Sequence, residues 1–156
     1  MNRRAMSSLT LVAMFVTLVF VGSASAQKGV PFHGTLQGVE TDVATFPTLS
    51  INGSGTGIAT QLGRFTVTWE GTGNLVDFSG VGSYHFIAAN GDSISTEFVG
   101  QTTSTDTPGV LYIEELITIT GGTGRFENAT GSVTLERLLD STGVTSGSFD
   151  GTIVMH

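Results

Sequence analysis

The sequence predicts an all-β domain, an eight-stranded antiparallel sheet closed into a barrel, on three observations. Period-two alternation of apolar and polar residues, bounded by glycine, recurs about every ten to fifteen residues after residue 27, and no window there sustains a helical period. Glycine supplies 22 of the 156 residues and charged residues only 12%, a turn-rich composition poor in the side chains that coat helices. Cysteine is absent. Packing and strand pairing must then hold the chain, and closing the sheet removes the exposed edges that an open one leaves.

Residues 1–26 follow targeting rules. Arg3 and Arg4 precede an apolar run from Leu9 to Val21, and Ala24-Ser25-Ala26 fits a signal peptidase site, placing cleavage between Ala26 and Gln27. The competing reading, a retained anchor, is disfavoured because the run is shorter than the ~20 apolar residues that span a bilayer. A secreted or periplasmic location and a single barrel domain over 27–156 are therefore expected. That segment keeps four basic residues against thirteen acidic ones, so the formal charge of −7 becomes −9.

The strands are expected at about 30–40, 54–61, 63–71, 78–89, 92–102, 109–120, 130–139 and 144–155, with Thr41 to Asn52 as an irregular connection around Pro47. In Arg64-Phe65-Thr66-Val67-Thr68-Trp69-Glu70 the odd positions are apolar and face inward. The same phase places Leu111, Ile113, Ile117 and Ile119 inside, followed by Val133, Leu135 and Leu139, then Phe149 and Ile153. Asn90-Gly91 signals a two-residue hairpin loop, which would set His85 opposite Thr96 and Ile87 opposite Ile94, with His85 and Phe98 facing inward. Ser141-Thr142-Gly143 suits a three-residue loop that pairs Leu135 with Phe149 and Arg137 with Gly147.

Composition excludes whole classes of function. A pI near 4.6 and scattered basic residues argue against nucleic acid, whose phosphates need clustered Lys and Arg. Without cysteine there is no disulfide, thiolate or Cys-ligated metal. His33, His85 and His156 lack metal-binding spacing, and no phosphate loop, dinucleotide fingerprint or G-x-S-x-G elbow occurs. No metal or cofactor is expected. A membrane-embedded barrel is disfavoured too, because the aromatics form no paired girdles.

The segment Ile119 to Leu135, with Gly121-Gly122-Thr123-Gly124-Arg125-Phe126 at its centre, resembles the glycine-rich motif of the allene oxide cyclase and dirigent barrel superfamily. Gly57 to Gly63 and the hairpin around Asn90-Gly91 resemble other parts of that family, so the likeness runs discontinuously over 57–155. The resemblance implies an eight-stranded allene oxide cyclase-like barrel with an apolar cavity, often trimeric. Plant allene oxide cyclases carry Glu-x-Asn on the first strand. Here Phe32 to Glu40 has none, so that catalytic carboxylate has no counterpart. In the motif, Phe126 is expected to plug one barrel end and Arg125 to cap nearby carbonyls.

Two charges break the inward faces. Glu115 lies in phase with Ile113 and Ile117, and Arg137 with Leu135 and Leu139. If Ile119 faces Val133, Glu115 faces Arg137, either as a rim pair, a structural pair inside the barrel, or a ligand handle. The expected lining of a ligand cavity is Phe65, Trp69, His85, Phe98, Glu115, Arg137 and Phe149. Catalytic residues stay unassigned, with Glu115 and His85 as the candidates. The leading expectation is an exported barrel that takes up a small apolar molecule without catalysis. Its rivals are a cofactor-independent isomerase or cyclase that templates its substrate, and a solid-cored envelope or matrix protein.

Overall fold

The structure, a computed structural model, describes residues 27–156; the expected signal peptide and its cleavage site at Ala26 lie outside the described residues. The strands are β1 (Val30–Pro31), β2 (Gly34–Thr45), β3 (Thr48–Ala59), β4 (Gly63–Asn74), β5 (Ser79–Ala88), β6 (Ser93–Ser104), β7 (Val110–Gly122), β8 (Thr130–Asp140) and β9 (Val144–Val154). Strands β2 to β9 pair antiparallel in chain order, and β9 returns to pair with β2, closing an eight-stranded barrel. The two-residue β1 adds to the far end of β9, opposite Thr152 and Ile153.

The expected irregular segment 41–52 is instead continuous sheet. Strands β2 and β3 pair without interruption from Gly34–Ala59 to Thr45–Thr48 and turn at Phe46-Pro47. Proline marked the turn correctly, but the turn is short: residues 41–48 are exposed, yet 41–45 and Thr48 still pair as sheet, and Leu49 and Ile51 bring β3 back onto the core.

The hairpin at Asn90-Gly91 departs from its expected register by one residue. The Ala88 N–H donates to the Asp92 carbonyl at 2.8 Å, which makes the loop three residues, Ala89-Asn90-Gly91. Only Gly91 within it has positive φ, at 90°. That is a type I turn followed by a left-handed glycine rather than the type I′ turn that needs two positive angles. The slip exchanges the faces of β5. Tyr84, Phe86 and Ala88 are buried, whereas His85 and Ile87 face outward. The loop at Ser141-Thr142-Gly143 keeps its expected register, with Leu135 opposite Phe149 and Arg137 opposite Gly147.

In the glycine-rich motif, a 3₁₀ turn at Gly124–Phe126 drives Phe126 into the barrel end, where it is completely buried. Arg125 caps no carbonyl. Its Nε binds Asp92 Oδ2 at 3.0 Å and its guanidinium lies over the Phe126 ring. Gly124, at φ 58°, sits against that same Asp92 carboxylate, so a Cβ there would meet both strain and collision.

The interior divides into two halves. On the side of the motif it is solid: Phe32, Phe65, Phe86 and Phe149 interlock, with ring centroids 5.2 Å apart for Phe32–Phe149 and 5.4 Å for Phe65–Phe86. Tyr84 continues the stack toward the middle, 5.8 Å from Phe86, 5.7 Å from Trp69 and 5.2 Å from Phe98. Beyond Phe98 the inward positions of β4, β5 and β6 are Gly73, Gly80 and Gly100. Gly80 leaves open space where a side chain would stand and Gly73 makes only ordinary contacts, whereas Gly100 lies close under Glu115; a cavity stands there.

Candidate functional site

The cavity occupies about 470 Å³ at the end of the barrel away from the motif, a volume ordinary for a small-molecule site. Its wall is apolar, with Leu49 and Ile51 from β3, Leu75 and Phe78 from the β4–β5 connection, Phe98 from β6, Leu111 and Ile113 from β7, and Leu139 from β8. Its charged lining consists of Glu40 and Asp42 from β2, Glu115 from β7 and Arg137 from β8. Gly80 opens directly onto this space, since an added Cβ would have only the Thr72 carbonyl within 4 Å, at 3.8 Å.

The floor is a buried hydrogen-bond network. Arg137 donates from Nε to Glu115 Oε2 at 3.1 Å and from Nη2 to Glu115 Oε1 at 3.3 Å. Its Nη1 reaches Glu40 Oε2 at 2.8 Å and donates to Thr145 Oγ1 at 3.3 Å. Tyr84 donates its hydroxyl to Glu115 Oε2 at 2.6 Å, and Trp69 donates its indole N–H to Glu40 Oε2 at 2.7 Å. The side chains of Arg137, Glu40 and Glu115 are each 2% exposed. Buried charges survive only when paired and hydrogen-bonded, and among the described residues no buried side-chain polar atom lacks a partner.

Glu115 and Arg137 pair as the sequence suggests but through a different register. Ile117, not Ile119, faces Val133, so Glu115 lies opposite Leu135 and Arg137 opposite Ile113. A shift of two residues preserves each side chain's face, and the long arginine closes the diagonal. The pair is interior rather than at a solvated rim.

Electrostatics separate the members of the network. Burial, then the adjacent Glu115 carboxylate, push the Tyr84 hydroxyl well above its usual range, keeping it a donor. Burial opposes the charge on Arg137, but Tyr84 and the carboxylates around it outweigh burial and push its pKa up. Asp42, toward the solvent side of the cavity, is raised to about 6 by partial burial and by the neighbouring Glu40 carboxylate, against the lowering effect of Arg137. Because the folded state holds this proton more tightly than the unfolded chain, Asp42 favours folding at low pH. That contribution fades as pH rises from about 4 through about 6. Asp42→Asn is expected to flatten this fall and to raise the melting temperature at pH 7 relative to the parent, as thermal unfolding across pH 4–8 will read.

The sequence-derived lining is only partly realised. Phe98, Glu115 and Arg137 border the cavity. Trp69 lies beneath it as a support for Glu40. Phe65 and Phe149 belong to the solid half. His85 is corrected outright: it is exposed on the outer face of β5, with Ser95 Oγ 3.4 Å from its Nδ1. Glu40, Asp42 and Tyr84 were missed. Glu40 shares the inward phase of Leu36, four residues earlier, which was a usable signal. Asp42 fell in the segment read as irregular, and Tyr84 on the face that the hairpin register assigned to solvent.

A second, broader hollow of about 1170 Å³ lies on the outside of the barrel, bordered by outward side chains such as Thr35, Thr56, Ile58, Ile87 and Leu138. Its Tyr112 and Glu136 already satisfy each other at 2.7 Å.

No family model matches the chain, and no curated protein matches it. Among solved structures, the pterocarpan synthase dirigent protein is similar, with a TM-score of 0.57 and 14% identity over 92% of this chain and 97% of that one. At that identity the likeness is one of fold, and the fold is a dirigent-like eight-stranded barrel.

Proposed function

We propose that this protein binds a small, largely apolar molecule in the open half of its barrel and performs no chemistry on it. One observation carries the reading: an otherwise solid barrel leaves a 470 Å³ cavity with apolar walls and a few convergent polar groups, at inward positions occupied by glycine. The charged groups at its base are mostly engaged with one another, as Arg137, Glu115, Tyr84 and Trp69 are. That arrangement suits orientation of a ligand better than proton transfer.

The protein is further read as exported, on its N-terminal sequence, and as self-associating. For the latter the support is an outward apolar row across three strands, Val81, Val99 and Leu116, adjacent in register and each more than half exposed. The family resemblance adds a trimer as the expected stoichiometry.

Gly80→Leu tests the central claim. An added Cβ meets only the Thr72 carbonyl, at 3.8 Å, and faces the cavity, so the variant is expected to fold with unchanged circular dichroism and to lose retained ligand. Native mass spectrometry of parent and variant purified from the source reads both bound mass and subunit number. Equal ligand retention by the two proteins would refute the assignment of the site.

The alternative, an isomerase or cyclase, draws on the fold shared with the pterocarpan synthase dirigent protein and on the Asp42 carboxyl poised near pH 6. It requires turnover of the retained ligand with stereochemical bias above the spontaneous reaction.

A further inference from the structure

The charge at the cavity base is unbalanced. Glu40 and Glu115 each bring one negative charge, Asp42 a third when ionised, and Arg137 is the only cation among the lining residues. Both Glu115 oxygens accept from Arg137, and Oε2 also accepts from Tyr84. Glu40 spends Oε2 on Trp69 and Arg137. No protein N–H or O–H donor reaches its Oε1 among the described residues; since every fully enclosed side-chain polar atom there is partnered, this oxygen opens onto the cavity, where only the Asp42 carboxyl, when protonated, comes within hydrogen-bonding reach. The Asp42 carboxyl lies beside it on the same cavity wall and, unlike Glu40, is exposed.

What the floor offers an entering molecule is thus acceptor oxygen and net negative charge in a low-dielectric recess. The remaining lining adds no compensating cation: β3 contributes Leu49 and Ile51, β4 Gly73 and Asn74, and β6 neutral residues such as Gln101 and Thr102. A carboxylate or phosphate head would enter unpaired against Glu40 and Asp42, and desolvated like charges are costly.

We propose, building on the binding function above, that the cavity selects an apolar molecule carrying a cationic amine, whose ammonium group donates to Glu40 Oε1 and the Asp42 carboxylate while its apolar body lies against Ile51, Phe98 and Ile113. The ammonium supplies both what Glu40 lacks, a donor, and what the cluster lacks, a second positive charge. The elevated affinity of Asp42 for a proton in the free protein is the same preference expressed toward the smallest cation. Around Asp42 the charged groups are Glu40 on its own strand, Glu115 on β7 and Arg137 on β8, and the amine adds to Arg137 in opposing the two glutamates.

Three probes that share one apolar body separate the heads: 1-naphthylmethylamine, 1-naphthylmethanol and 1-naphthoate, titrated calorimetrically into the purified protein at pH 7.5 and pH 5. The amine is expected to bind about tenfold or more tightly than the alcohol at pH 7.5, a difference of one well-placed charge interaction, with the carboxylate weakest. At pH 5 the amine is expected to weaken severalfold as Asp42 takes up its proton, and Asp42→Asn is expected to reproduce that loss at pH 7.5 while leaving the alcohol unchanged. If the alcohol or the carboxylate binds as well as the amine, the charge selection is overturned and the apolar-binding function stands. If the amine binds equally to parent and Asp42→Asn, its head is elsewhere and the proposal falls. If none of the three binds at millimolar concentration and Gly80→Leu retains as much ligand as the parent, both readings fall together.

Discussion

Arg137→Met is expected to destabilise the fold by about 3–5 kcal/mol, because it leaves two buried carboxylates without their cation. Glu115 loses both guanidinium donors and keeps only Tyr84, while Glu40 keeps only Trp69. Methionine fills most of the volume, so the loss reports charge and hydrogen bonding rather than a void. The urea midpoint gives the magnitude. A deficit below about 1 kcal/mol, the range of a solvated surface pair, would contradict the interior role of Arg137.

Phe149→Ala is the second large effect, expected at about 3–5 kcal/mol. Phe149 is 3% exposed and its ring lies 5.2 Å from Phe32, 6.3 Å from Phe65 and 6.1 Å from Phe86. It sits on β9, the strand that closes the barrel by pairing with both β8 and β2, so neighbours fixed on several strands have little freedom to collapse into the hole. Guanidinium unfolding measures it. The deletion lies in the solid half, so ligand retention per folded molecule is expected to stay at the parent level, and a simultaneous loss of retention would mean that the two halves are energetically coupled.

These two sites show how unevenly the molecule can be read from its chain. The alternation in β4, β7, β8 and β9 places Phe65, Trp69, Ile117, Leu135 and Phe149 inside, and the structure agrees, because a strand with one dry face repeats its burial every two residues whatever it pairs with. Closure of eight strands is legible for a related reason, since glycine-bounded strands succeed one another in a chain with no disulfide to brace an open sheet. The interior charge of Glu115 and Arg137 is legible in the same phase, and survives a register error of two.

Where the phase of one strand depends on the geometry of a turn, sequence loses its hold. Asn90-Gly91 is compatible with a two-residue loop or a three-residue one, and the choice moves Tyr84 into the core and His85 out of it. Pro47 announces a turn but not that the strands beside it continue to Thr45 and from Thr48, and on that continuation depends the placement of Asp42 over Glu40.

By itself, then, the sequence determined the fold class, the strand succession and the inward phase of Glu115 and Arg137, all of which follow from local periodicity. Tertiary structure alone decided that one half of the barrel is packed and the other open, and that Glu40, Asp42 and Tyr84 join Arg137 and Glu115. Strands β2, β5, β7 and β8 meet at that floor from positions 31 to 97 residues apart, as Tyr84–Glu115 and Glu40–Arg137 are. No local pattern encodes such a meeting, because it is set by how far each strand is staggered around the barrel.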